Sequence, residues 1–215
     1  MSLQVTRLHL ATMLEELPVH GFLVTHPGGA VLVDTGVGGP QQVLVDHRVV
    51  NRSVADALDE HDMTPGDIGL VINTHLHFDH CGQNAVFKHA PFYVQSAELA
   101  RARRESPQLA GWFDFMDARF ELLNGDAEIL PGLSVVATPG HTVGHQSVVV
   151  STDNGAEVLI GDGAYKSRQY LEPDDGDLLP GQASDPAAWR ESVARVHAIR
   201  PDRVHFCHDT AVIHS

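Results

Sequence analysis

The 215-residue sequence holds only two cysteines, Cys81 and Cys207. That excludes a small scaffold stapled by disulfides and reads as two small buried residues in a reducing compartment. No run of 18 apolar residues occurs, so no transmembrane helix is expected. The first 17 residues lack a charged segment followed by a long apolar run. No signal peptide is expected, and the predicted location is cytoplasmic. Basic residues are scarce: Lys and Arg total 14 against 28 Asp and Glu, a net charge of −14 with His neutral. Such a balance excludes a basic nucleic-acid surface and disfavours an anionic membrane as partner. Internal repeats and low-complexity tracts are also missing. What is present is 43% hydrophobic residues, enough for a substantial core, in a length that predicts one domain over residues 1–215.

Alternating or short apolar runs predict strands at 3–10, Val19–Thr25, Ala30–Asp34, Gly69–Thr74 and Phe92–Gln95. Further strands are predicted at about 120–123, 127–130, 133–138, 146–151, 157–162 and Arg203–Cys207. Ser53 caps a predicted helix to about His61, and Ser96 caps another to about Arg104. Asp185 and Pro186 open a third, as N-cap and first residue, that runs to about Arg200. Residues 37–51 and 166–184 read as loops. Residues 105–119 carry Trp112, Phe113, Phe115 and Met116, which suit a helix packed on the core or an apolar wall over a cleft; both readings stay open. Strand-rich halves punctuated by helices predict an α/β chain with two sheets face to face and helices outside.

The densest chemistry lies in His75-Leu76-His77-Phe78-Asp79-His80. In an extended segment His75 and His77 project on one side, and Asp79 and His80 follow as the chain turns. Neutral imidazoles and a carboxylate suit zinc, iron, manganese or cobalt, and one such loop can feed two adjacent ions. Four ligands cannot complete two sites, so later strand ends should supply more. His141 follows the strand at 133–138, Asp162 ends the run Val158–Gly161, and His208 ends Arg203–Cys207. Alone, each would read as a hydrogen-bonded structural residue. Their repeated strand-end placement, in a chain that needs ligands, favours metal binding.

These residues resemble the metallo-β-lactamase superfamily. The match rests on Val33-Asp34-Thr35-Gly36, the block 75–80, Thr138-Pro139-Gly140-His141-Thr142 with Gly144-His145, Gly161-Asp162 and His208-Asp209, in the family's order. The resemblance implies a metallo-β-lactamase-like αββα four-layer sandwich with two divalent cations per chain. Zinc is the expected metal, with iron, manganese or cobalt compatible. His75, His77 and His141 would hold one cation, Asp79, His80 and His208 the other, and Asp162 would bridge them. Asp34 and His145 would orient ligands or brace the glycine-rich loop.

Within that superfamily, the runs 75–82 and 140–147 resemble the N-acyl homoserine lactonases. Tyr165 stands three positions after Asp162, where those enzymes direct a hydroxyl at the substrate carbonyl. By that resemblance the protein is a metal-dependent hydrolase that opens a lactone ester ring. Hydroxide shared by the cations attacks, Tyr165 donates to the carbonyl, Asp79 carries the proton to the leaving alkoxide, and Phe78 lines the pocket mouth. Cys207 stands where glycine is usual. The chain is shorter than typical lactonases near 1–20 and 37–51, which shape the acyl pocket and often the dimer interface, so acyl preference and a homodimer stay open. A glyoxalase II-like thioesterase shares the same seven ligands but usually carries a basic C-terminal extension; this sequence ends seven residues after His208. The same ligand set is also compatible with phosphotriester hydrolysis, with iron redox chemistry or with an inert metal scaffold.

Overall fold

Two-sided alternation decides the layers. The computed structural model describes residues 2–175 and 183–214. Its first sheet holds β1 (Gln4–Met13), β2 (Leu17–Thr25), β3 (Ala30–Val33), β4 (Val50–Asn51), β5 (Ile68–Ile72), β6 (Phe92–Gln95) and β7 (Phe120–Leu123). They run in the order β4-β1-β2-β3-β5-β6-β7. The second sheet holds β8 (Ala127–Leu130), β9 (Leu133–Ala137), β10 (Gln146–Thr152), β11 (Gly155–Leu159), β12 (Arg203–His205) and β13 (Val212–His214), in the order β13-β12-β11-β10-β9-β8. In the first sheet β3, β5, β6 and β7 pair in parallel. The second is antiparallel apart from β11 with β12.

Both faces of each sheet are apolar, as covered sheets require. Phe22, Val24, Val31, Val33, Leu70 and Ile72 meet Leu133, Val135, Val148, Val150 and Leu159 between the sheets. The intervening Leu23, Leu32 and Val71 point outward, where Val54, Ala57 and Leu58 cover them. Those three lie on helix α2 (Val54–Asp59), which follows α1 (Gln41–Asp46). On the far side Val158 and Val204 point outward under Trp189, Val193 and Val196 of a long C-terminal helix, Pro186–Ile199. Helix, sheet, sheet and helix thus form the αββα order expected. No helix among the described residues is long and apolar enough to cross a membrane.

Capping follows expectation at two helices and departs from it at one. Ser53 accepts from the Ala55 N–H, and Asp185 accepts from Ala187 and Ala188 with Pro186 first in the helix. Helix α3 (Ser96–Glu105) instead has Gln95 at its N-cap with no side-chain cap, and the Ser96 hydroxyl bonds Asn124 Oδ1 at 2.5 Å. Gln95 finishes β6, so the boundary falls one residue earlier than the serine suggested.

Residues 37–51 are not a plain loop, since they contain α1 and β4. Helix α1 buries none of its residues, and β4 is two residues long, so neither leaves a period to read. Residues 105–119 form no continuous helix. A tight turn at Pro107–Leu109 leads into the single turn α4 (Ala110–Phe113). Phe113 is buried and Phe115 packs edge-on against Phe92, whereas Met116 is 86% exposed. The segment expected as loop at 166–184 contains α5 (Ser167–Leu171), and residues 176–182 of it lie outside the described residues. The strand expected at 157–162 ends at Leu159, and Asp162 sits in the tight turn Gly161–Gly163 that follows. The C-terminal helix Pro186–Ile199, completing the series as α6, ends at Arg200 in left-handed conformation (φ 54°).

His20 on β2 is buried, and its backbone N–H donates to the carbonyl of Cys207, the residue before His208. Burial, then the charge of Arg7, lowers its pKa from 6.5 to about 4. Below pH 6.5 the unfolded chain takes up a proton that the folded chain refuses. This contribution to stability is therefore intact above pH 6.5 and lost as pH falls toward 4, at about 1.4 kcal/mol per pH unit. Urea unfolding of chelator-treated protein at pH 7, 6 and 5 should show His20→Leu with a shallower acid slope by that amount. Equal slopes would assign the acid sensitivity to other groups.

Candidate metal centre

The candidate ligands gather where strands of both sheets end. The loop after β5 carries His75 to His80, the turn after β9 carries His141, the turn after β11 carries Asp162, and β12 leads to His208. Nε2 of His75, Nδ1 of His77 and Nε2 of His141 approach one another at 3.0–3.2 Å. Asp162 Oδ2 lies 3.1 Å from His141 Nε2 and 3.6 Å from His75 Nε2. Its other oxygen, Oδ1, lies 3.2 Å from both His80 Nε2 and His208 Nε2. Asp79 Oδ2 closes this second group, at 3.5 Å from His208 Nε2 and 3.7 Å from His80 Nε2.

The ligand atoms of His75, His77, His141 and Asp162 all lie within 4.8 Å of one another, as do those of Asp79, His80 and His208, and each set could hold a metal ion. The donor chemistry fits cations. Three imidazole nitrogens converge on one another and on one oxygen of Asp162. His80 Nε2 and Asp162 Oδ1 are buried without a hydrogen-bond partner, an arrangement that is costly unless something else satisfies them. Burial lowers the pKa of His75, His77 and His141 and favours the neutral rings a metal needs. For His80 and His208, burial is outweighed by the charges of Asp162 and Asp79, and their pKa values rise.

Surrounding groups fix the rings. His80 Nδ1 donates to Asp34 Oδ2 at 2.8 Å, and Asp34 also accepts from the Thr74 N–H and hydroxyl at 2.8 and 2.7 Å. To reach all three, Asp34 is buried in left-handed backbone conformation (φ 58°). His208 Nδ1 donates to the Pro18 carbonyl at 2.8 Å, which leaves Nε2 for the site. His145 Nε2 accepts the Asp162 N–H at 3.0 Å, while Nδ1 donates to the Thr138 carbonyl. Asp34 thus holds the His80 ring, and His145 holds the backbone of Asp162. Both cysteines are buried and reduced. The Cys81 thiol donates to the His77 carbonyl, and burial raises both thiols, that of Cys207 to about 12. The trio Asp34, His80 and Cys207 is also close, but it spends His80 Nδ1 on Asp34.

A cavity of about 270 Å³ opens over the ligands. Asp79, Asp162, His208 and Tyr165 form its polar end, and Met13, Leu14, Leu17, Phe78 and Leu109 its apolar wall. Tyr165 stands with its ring 5.7 Å from that of His141 and 5.1 Å from that of His208. Burial, then Asp162 and Asp79, raises its pKa, so the hydroxyl stays protonated. Phe78 packs against His47 at 4.6 Å between ring centres. Of the segment 105–119 only Leu109 reaches this cavity, so Trp112, Phe113, Phe115 and Met116 are not its wall.

Sequence reasoning missed Glu98. It is fully buried on α3 and accepts hydrogen bonds from the Leu76 N–H, the Thr142 hydroxyl and Arg101. Burial opposes its charge, but the Arg101 hydrogen bonds and charge, with those donors, hold its pKa low. The available signal was its place beside Leu99, Arg101 and Ala102 on the buried stripe of α3.

Known proteins resemble this chain in sequence and in fold. An N-acyl homoserine lactonase from Bacillus sp. is 31% identical over 172 residues, covering 73% of this chain and 68% of the relative. A crystal structure of a quorum-quenching N-acyl homoserine lactone lactonase superposes with a TM-score of 0.79 at 26% identity, covering 97% of this chain and 92% of that one. An N-acyl homoserine lactone hydrolase with the product N-hexanoyl-L-homoserine at its catalytic metal centre gives 0.79 at 24% identity, covering 97% and 93%. A family description of the metallo-beta-lactamase superfamily matches residues 14–208, a span that contains every ligand gathered at the strand ends. This chain belongs to the metallo-beta-lactamase superfamily.

Proposed function

We infer that the protein is a metal-dependent hydrolase that opens the ring of N-acyl homoserine lactones. The observation that carries this reading is the division of the Asp162 carboxylate, with one oxygen facing each ligand group, at the floor of a cavity that is apolar above. His75, His77, His141 and Asp162 would hold one cation; Asp79, His80, His208 and Asp162 would hold the second, with zinc expected at both. Cations bound there supply hydroxide near neutral pH and polarise the ester carbonyl.

The chain's own residues account for the rest. The Tyr165 hydroxyl donates to the carbonyl oxygen as negative charge grows on it. Asp79, at the cavity surface, accepts the proton of the hydroxyl added to the carbonyl carbon and passes it to the ring oxygen as the ring C–O bond breaks, leaving a carboxylate and an alcohol. Met13, Leu14, Leu17 and Leu109 exclude water from the acyl chain, and Phe78 covers the mouth. The lactonases similar to this chain support the substrate class, and a quorum-quenching role follows from it.

The test is lactone ring opening, followed by pH indicator, on protein with metal counted per chain. Two metals and rapid hydrolysis of N-acyl homoserine lactones are expected. Two metals with turnover of S-D-lactoylglutathione and none of lactones would transfer the reading to a thioesterase.

A further inference from the structure

We propose that Glu98 is a positioning residue that sets the spacing of His75, His77 and His141 by holding their two loops together; the inference rests on the metal-site reading above. The three imidazoles come from different sheets. His75 and His77 follow β5 of the first sheet, and His141 follows β9 of the second. Their nitrogens must nonetheless be held within about a hydrogen-bond length of one another. Glu98, from α3, reaches both loops from outside the site. Its Oε1 accepts the Leu76 N–H at 2.9 Å, and Leu76 lies between the two histidines of the first loop. Its Oε2 accepts the Thr142 hydroxyl at 2.7 Å, one residue after His141. Arg101 spans the same carboxylate, with Nη2 2.6 Å from Oε1 and Nε 3.2 and 3.3 Å from the two oxygens.

Each carboxylate oxygen therefore serves one loop. Packing enforces the approach, because a Cβ on Gly144 would sit 2.2 Å from the Glu98 nitrogen. The turn 141–145 thus lies directly on the first turn of α3. The Leu76 N–H and the Arg101 guanidinium can only donate, so an amide in place of Glu98 would set its N–H₂ group against Arg101, although the Thr142 hydroxyl could turn to accept from it. The geometry requires a carboxylate and not merely a polar side chain of that length. Groups that orient metal ligands in this way typically alter metal affinity by roughly 10–100-fold when removed.

Cobalt(II) titration of chelator-treated protein, read by visible absorption and by cobalt retained after equilibrium dialysis, tests the role without substrate. Thr142→Val removes one arm while keeping the buried Glu98–Arg101 pair and therefore the fold, so it carries the test by itself. It should weaken cobalt binding about 10-fold and change the spectrum. Glu98→Met, paired with Arg101→Gln so that no buried cation is stranded, takes away the acceptor for both arms and should weaken binding about 100-fold. Adding Thr142→Val to that pair should then cost little more, since the arm is already lost. Wild-type affinity and spectrum in Thr142→Val would overturn the proposal. So would independent, fully additive effects, or a wild type that binds no cobalt. Tight cobalt binding without lactone turnover would sink the lactonase reading and leave the role of Glu98 standing.

Discussion

Asp162→Asn should reduce the zinc retained after dialysis from two ions per chain to below one and abolish lactone turnover. The reasoning is geometric. Asp162 Oδ2 faces His75 and His141, and Oδ1 faces His80 and His208. Asparagine keeps the shape but has a single oxygen. Whichever group receives it, the other meets an amide N–H₂ pointing at imidazole nitrogens that should face a cation. The buried turn Gly161–Gly163 leaves the side chain no other direction. Losing a shared ligand should exceed the roughly 10–100-fold cost of losing a group that only orients one. Stability reads the same event independently. Zinc at a thousand times its Kd stabilises the folded chain by about 4 kcal/mol. Wild type should therefore fall in Tm by roughly 8–16 °C when chelated, whereas Asp162→Asn should change little. Two zinc ions retained by the variant would show that the histidines suffice and that Asp162 is not the bridge.

Much of this site is legible because ligand chemistry is local. His75 to His80 announce themselves in one loop, Asp162 follows the short apolar run Val158–Ile160, and His208 follows the alternating segment Arg203–Cys207, both of which read as strands. The layers are legible for a related reason: Leu23, Leu32 and Val71 interrupt inward-facing residues with outward apolar ones, so each sheet needs cover on both faces. Glu98 escapes because the partners that tie it to the site are a backbone N–H 22 residues away and a hydroxyl 44 residues away, neither of which leaves a pattern in sequence. The cavity wall escapes for the opposite reason. Met13, Leu14 and Leu17 look like any apolar strand residues, and only the fold shows that they border open space. Helix α1 and strand β4 escape because a helix with no buried face, and a strand of two residues, carry no periodic signal.

Tyr165→Phe should lower kcat for lactone opening by roughly 10²–10³-fold and leave two metals bound. The substitution removes one hydroxyl and keeps the ring, whose edge-on contacts with His141 and His208 hold it at the polar end of the cavity. The backbone is held separately, since the Tyr165 N–H donates to Gln169 Oε1 at 2.7 Å at the start of α5. Folding and metal content should therefore match wild type. Burial, reinforced by Asp162 and Asp79, keeps the hydroxyl protonated, so it serves as a donor across the neutral range. Such a donor gains most when the carbonyl oxygen becomes an oxyanion, so kcat should fall more than KM changes. A proportionate rise in KM with kcat intact would instead make Tyr165 a binding contact for the ground-state lactone. Unchanged kinetics would reduce the ring to packing, leave the developing oxyanion without a protein donor, and shift the chemistry at the carbonyl entirely onto the cations that Asp162 and the residues around it would hold.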